Sequence, residues 1–73
     1  MITFYLDRDK FDAFRGMLIS WLLVNRPNAG MHVFPRDNII RITGGGCSMA
    51  TIDDLVRDEI VDPTKMLCEI EDR

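Results

Sequence analysis

The stretch MHVFPRDNIIRIT, residues 31 to 43, decides the fold. Two apolar-rich runs, MHVF and NIIRIT, flank a PRD segment whose Pro35 suits the second position of a tight turn, because its ring presets the backbone angle needed there. The segment reads as a β-hairpin. Met31, Val33, Ile40 and Ile42 point to one side of it, and His32, Phe34, Ile39, Arg41 and Thr43 to the other. Its first strand is short and is expected to fray.

Upstream, RPNAG (26 to 30) is turn chemistry, and Pro27 disfavours a helical residue before it. A helix therefore ends near Asn25. Its Phe11, Phe14, Leu18, Trp21 and Leu22 form one apolar stripe, and Asp7 or Asp9 is placed to cap it. Before it, ITFYL alternates Ile2, Phe4 and Leu6 against Thr3 and Tyr5, the period of a strand with one buried face.

Downstream, Gly44, Gly45 and Gly46 read as a flexible passage into a second helix capped by Ser48 or Thr51. Ile52, Leu55, Val56 and Ile60 recur there at helical spacing as far as VDP (61 to 63), with Asp53, Asp54, Arg57 and Asp58 on the other faces. The final KMLCEIE alternates Met66, Cys68 and Ile70 against Leu67, Glu69 and Glu71, a last strand. The order β-α-β-β-α-β predicts an α+β fold of ferredoxin-like type, a four-stranded antiparallel sheet with two helices on one face. With 73 residues and no repeat, linker or low-complexity tract, this is a single domain.

A chain that is 47% hydrophobic and 29% charged belongs with ordered globular proteins, so the whole length is expected to fold. Charge is divided unevenly. Residues 1 to 50 hold six basic groups against four acids, whereas residues 51 to 73 hold three against eight, and the total is −3. That balance argues against direct nucleic-acid binding, which draws its affinity from neutralising phosphates, and points to a protein partner with a basic surface. The longest apolar run, MLISWLLV (17 to 24), is well short of the roughly 18 residues of a membrane span. No membrane association is expected. Asp7, Arg8, Asp9 and Lys10 interrupt any early signal-like run, so the expected compartment is the cytoplasm, with both cysteines reduced.

Three chemical readings of the chain compete. Glycines opening a helix can cradle phosphate, but there is no Walker lysine and no GxGxxG spacing, and Asp53 and Asp54 are read as occupying the first turn, where they would repel an anion. Cys47 near a helix N-terminus can become a nucleophile, yet the one histidine, His32, lies mid-strand, and no supporting base follows. Asp53, Asp54 and Asp58 lack the loop spacing of a calcium site. No catalytic residue, metal or cofactor is expected, and Cys68 reads as a small core residue.

Two surfaces exceed what a core requires. The sheet face away from the helices carries Tyr5, His32, Phe34 and Arg41 with Ile39 and Leu67, a patch of the kind that marks interfaces. On the first helix, Ile19 and Leu23 lie opposite the core stripe and are candidates for a dimer contact. The acids Asp53, Asp54, Asp58, Glu59 and Asp62 form a candidate docking edge for a basic partner. The expected function is a small acidic, non-enzymatic protein-binding module, a regulator or inhibitor. Its size and charge match the general profile of phage-encoded proteins that block host machinery, anti-CRISPR proteins among them. A ligand-sensing dimeric domain and a small enzyme using Cys47 are the alternatives.

Overall fold

The computed structural model describes residues 1–71. The elements, in chain order, are β1 (Ile2–Tyr5), a short 3-10 turn (Arg8–Lys10), α1 (Phe11–Asn25), β2 (Ala29–Phe34), β3 (Ile39–Gly44), α2 (Met49–Arg57) and β4 (Leu67–Ile70). The four strands form one antiparallel sheet in the order β2-β3-β1-β4. The chain is thus an α+β protein with β1 and β3 in the middle of the sheet. One core cluster draws residues from both helices and the sheet.

Alternation in the strands selects the core face. Ile2 pairs with Ile42 and Ile70, and Phe4 pairs with Ile40 and Cys68, so apolar residues stand side by side across β3, β1 and β4. Ile2, Phe4, Ile40 and Ile42 are fully buried. Above them α1 lays down Phe11, Phe14, Leu18, Trp21 and Leu22, with the Phe14 and Phe4 rings 5.3 Å apart. Burying an aliphatic or aromatic side chain of this kind contributes about 1.5–3 kcal/mol, which is why the stripe dictates how α1 lies. From α2 only Leu55 and Thr51 are buried.

Several local expectations are corrected. Asp7 begins the 3-10 turn rather than α1, and its side chain makes no capping bond. β2 is not frayed: it has six residues, each paired to β3. Pro35 does occupy the second turn position, since the Asp37 N–H donates to the Phe34 carbonyl at 3.2 Å. Asn38 then adopts φ 54°, a left-handed conformation that asparagine tolerates, and β3 starts one residue later than the apolar pattern implied.

α2 also starts and stops differently. Ser48 is its N-cap, with the Ser48 N–H donating to Thr51 Oγ1 at 3.2 Å and the Thr51 N–H to the Ser48 carbonyl at 3.0 Å. The first turn is therefore Met49–Thr51, and Asp53 and Asp54 lie beyond it. The helix ends at Arg57, short of VDP, because Glu59 turns left-handed at φ 62°. The Ile60 N–H then reaches the Leu55 carbonyl at 2.9 Å and the Glu59 N–H the Val56 carbonyl at 3.1 Å. This pair of bonds closes the helix as a Schellman motif, and Ile60 packs back on the core.

The glycines are required by the backbone conformation of this turn, which their reading as a plain connection did not include. Gly44, Gly45 and Gly46 all have positive φ, 68°, 58° and 76°. Three successive left-handed residues reverse the chain after β3 and press it against the start of β2, where a side chain on Gly45 would come within 2.6 Å of the Ala29 backbone nitrogen.

Candidate interaction surface

The register places the residues of the second sheet face in rows. One row crosses all four strands as Phe34, Ile39, Tyr5 and Leu67. The next runs His32, Arg41, Thr3 and Glu69. Strand alternation points all of these away from the core, so no helix covers them. Leu67 is 60% exposed and Phe34 39%, and between them Ile39 and Tyr5 are half-buried.

Polar side chains lie along this face. The Arg41 guanidinium sits over the Phe34 ring, 5.2 Å from its centre, a cation–π contact. Arg41 Nε is buried there and has no hydrogen-bond partner among the described residues. The Tyr5 hydroxyl donates to Glu69 Oε2 at 3.1 Å. That bond, reinforced by some burial, holds the phenol proton on and pushes the Tyr5 pKa up. Thr3, beneath these groups, is 4% exposed. Among the described residues His32 reaches only Thr43, its Nε2 lying 3.5 Å from Oγ1. The charged groups of this face are thus Arg41 on β3 and Glu69 on β4.

The acidic edge of α2 is less available than its sequence implies. Asp54 Oδ2 accepts from Arg26 Nη2 at 2.8 Å, and Asp54 Oδ1 lies 3.4 Å from Arg57 Nη2. Asp58 Oδ2 accepts from the Trp21 indole N–H at 2.8 Å, and Asp58 Oδ1 lies 3.5 Å from Arg57 Nε. Arg26 also lies 5.6 Å from the Trp21 ring centre. Asp54 and Asp58, one helical turn apart, therefore latch α2 to the end of α1. Asp62 is occupied by its own turn, accepting from the Thr64 N–H and Oγ1. Of the five acids, Asp53 and Glu59 remain exposed with no ion pair among the described residues.

Two of these carboxylates give the protein an acid limit. The Trp21 N–H, then Arg57, holds the Asp58 carboxyl below its ordinary range, and the two Thr64 bonds do the same for Asp62. A depressed folded pKa contributes stability that is complete above the unfolded value and is lost as pH falls through the folded one. Thermal stability should accordingly decline below about pH 4, the ordinary carboxylate range. The decline should be shallower in Asp58→Asn, and an identical acid slope in that variant would show that Asp58 contributes nothing.

Ile19 and Leu23 on α1 are exposed, at 44% and 69%. They border a shallow depression of about 250 Å³ that Arg26, Pro27 and Met31 help to line. On the other flank of α1, Ala13, Phe14, Met17, Ile60 and Met66 floor a groove of about 260 Å³, rimmed by Asp9, Lys10, Asp62 and Lys65. Cys47 and Cys68 are free thiols, half-buried, and burial pushes both pKa values up, the opposite of what a nucleophile needs. Among the described residues no three His, Cys, Asp or Glu side chains group as metal ligands, and no helix is long and apolar enough to cross a membrane.

Which residues share the open sheet face was legible from strand alternation, while their pairing required the register. The Trp21–Asp58 and Arg26–Asp54 contacts were not, because nothing in the local pattern of α2 reveals donors that arrive from α1. No known protein family, curated protein or solved structure matches the chain.

Proposed function

We propose that this chain is a non-enzymatic protein-binding module of ferredoxin-like topology, a regulator or inhibitor that works by covering a partner's surface with its open sheet face. The topology rests on β1 lying between β3 and β4, so that α1 joins β1 to β2 across β3, and α2 joins β3 to β4 across β1. One observation carries the functional reading: a largely apolar row, Phe34–Ile39–Tyr5–Leu67, spans the sheet on the face that no helix of the described residues covers. Glu69 and Glu71 beside that row favour a contact with basic groups at its rim. The acidic edge of α2 contributes through Asp53 and Glu59. A phage-encoded inhibitor of host defence, such as a CRISPR complex blocker, and a cytoplasmic site of action both fit this size and charge.

Affinity capture from the source cells tests the surface, using the wild-type chain beside Leu67→Lys, whose exposed position tolerates the change. A partner retained by the first and lost by the second is expected. A captured set indifferent to Leu67→Lys removes the sheet face from consideration. The groove between α1 and the segment joining α2 to β4 favours a second reading, a ligand-sensing domain for a small amphipathic molecule. That reading requires a thermal shift with such a ligand that disappears in Met17→Glu.

A further inference from the structure

The edge of the sheet at β2 is unguarded, and we infer that it pairs with β2 of a second copy of this chain, antiparallel, about a two-fold axis perpendicular to the sheet. The two sheets then join side by side with their helices on the same face. The open face proposed above as a docking surface is extended rather than covered, so the inference stands apart from that reading.

The hydrogen-bonding phase shows what the edge presents. The Leu6 N–H donates to the Asn38 carbonyl at 3.0 Å, so Ile40 and Ile42 turn their main-chain groups to β1, and Ile39, Arg41 and Thr43 turn theirs to β2. Phe34, His32 and Gly30 answer them. Met31 and Val33 therefore point their N–H and C=O groups outward, where no strand lies among the described residues. Edges of this kind are ordinarily blunted by a charged side chain, a proline, a bulge or brevity. β2 has none of these: AGMHVF runs six residues in unbroken register. β4, the other edge, has four residues and carries Glu69.

The spacing of the free groups selects a copy of the same strand. The Ala29 N–H already donates to the Arg26 carbonyl, and Pro35 has no N–H, so an antiparallel neighbour must bond at Met31 and Val33. Setting Met31 against the partner's Val33 satisfies the N–H and C=O of both residues in each copy. Sliding the register to Met31 against the partner's Met31 leaves the Val33 carbonyl without a donor, because the Ala29 N–H it would face is taken. Side chains agree with the first register. On the open side it sets Phe34 against the partner's Gly30, so that a ring covers a residue with no side chain of its own. On the helix side the partner's Val33 stands beside Met31, at the depression of about 250 Å³ that Ile19, Leu23 and Ala29 also line. Ile19 and Leu23 are thus exposed on the flank that the neighbour approaches. His32 meets the partner's His32 on the axis. Main-chain bonds along an edge of about 20 Å, rather than buried area, carry this contact, so it belongs with small interfaces and dissociates in the range of about 10–100 μM.

Sedimentation velocity over a range of loading concentrations tests this with the full chain. The wild type should pass from monomer to dimer with a midpoint in that range. His32 is exposed and reaches only Thr43 among the described residues, so His32→Asp and His32→Lys should fold normally, which their thermal melts check. Each sets like charges face to face on the axis and should weaken dimerisation by at least about tenfold. An equimolar mixture of the two variants should dimerise to within about threefold of wild type, which only a contact that sets residue 32 against itself produces. Ile19→Glu should also weaken the dimer, whereas Leu67→Lys, on the far edge, should leave it unchanged. A chain monomeric at every concentration, a dimer indifferent to His32→Asp, a mixture that stays monomeric, or a dimer broken by Leu67→Lys overturns the inference.

Discussion

Gly45→Ala should destabilise the protein by about 3 kcal/mol, while Gly46→Ala at the next position should lose only about 1 kcal/mol. Both residues have left-handed backbone, so both substitutions carry the strain of a side chain at positive φ. Only Gly45 adds a collision. Its new Cβ would sit 2.6 Å from the Ala29 nitrogen and 2.9 Å from the Ala29 Cα, and these are backbone atoms that no rotamer change can move aside. At Gly46 nothing lies within 4 Å. Ala29 is also fixed: its N–H donates to the Arg26 carbonyl at 3.0 Å, and it pairs with Gly44 at the start of the β2–β3 ladder. Relief of the clash must therefore disturb the sheet edge or the turn that leads into it. Urea unfolding followed by Trp21 fluorescence measures both variants, and equal losses would show that the close approach does not matter.

These glycines show where reading the sequence stops. The order of elements was legible because each segment repeats its apolar residues at the period of one structure, and the core face followed from the same alternation. Phe4 and Ile40, or Phe14 and Leu18, need no knowledge of what they touch to be assigned inward. Conformations set by a single contact are different. Nothing in GGG distinguishes three residues that must be left-handed from three that are merely mobile, since the distinction lies in Ala29, fifteen positions earlier. Glu59 likewise ends α2 by adopting a conformation for which glutamate has no preference, so the helix was read past its end, to VDP.

The sheet face and the acidic edge differ in legibility for a related reason. Alternation assigns residues to a face, so Phe34, Ile39, Tyr5 and Leu67 could be placed together on the open side of the sheet before any coordinates, whereas their order in one row is set by the strand order and register of the structure. A carboxylate's availability depends instead on donors elsewhere in the chain. Trp21 was assigned to the core stripe by its ring, and its 7% exposure agrees. Its indole N–H still needed an acceptor, as a buried Trp usually does, but nothing in the sequence says that Asp58 supplies it.

The division among the acids leads to the second large effect. Asp54→Lys should lower stability by about 2 kcal/mol, because it removes the acceptor for Arg26 and sets an ammonium between Arg26 and Arg57. Both partners in the Arg26–Asp54 pair are partly shielded, with side chains 25% and 29% exposed, so the loss falls between that of a surface pair and a buried one. Asp53→Lys and Glu59→Lys, which break no ion pair, should stay within about 0.5 kcal/mol of wild type. Partner binding then becomes interpretable. If the α2 edge meets a basic surface, the Asp53→Lys/Glu59→Lys double variant should bind more weakly while melting normally. If binding falls only in Asp54→Lys, in step with its melting temperature, the latch to α1 has failed and the edge makes no contact of its own. Charge reversal of all five acids at once confuses these two outcomes, whereas separating the latched carboxylates from the exposed ones assigns each loss to folding or to recognition.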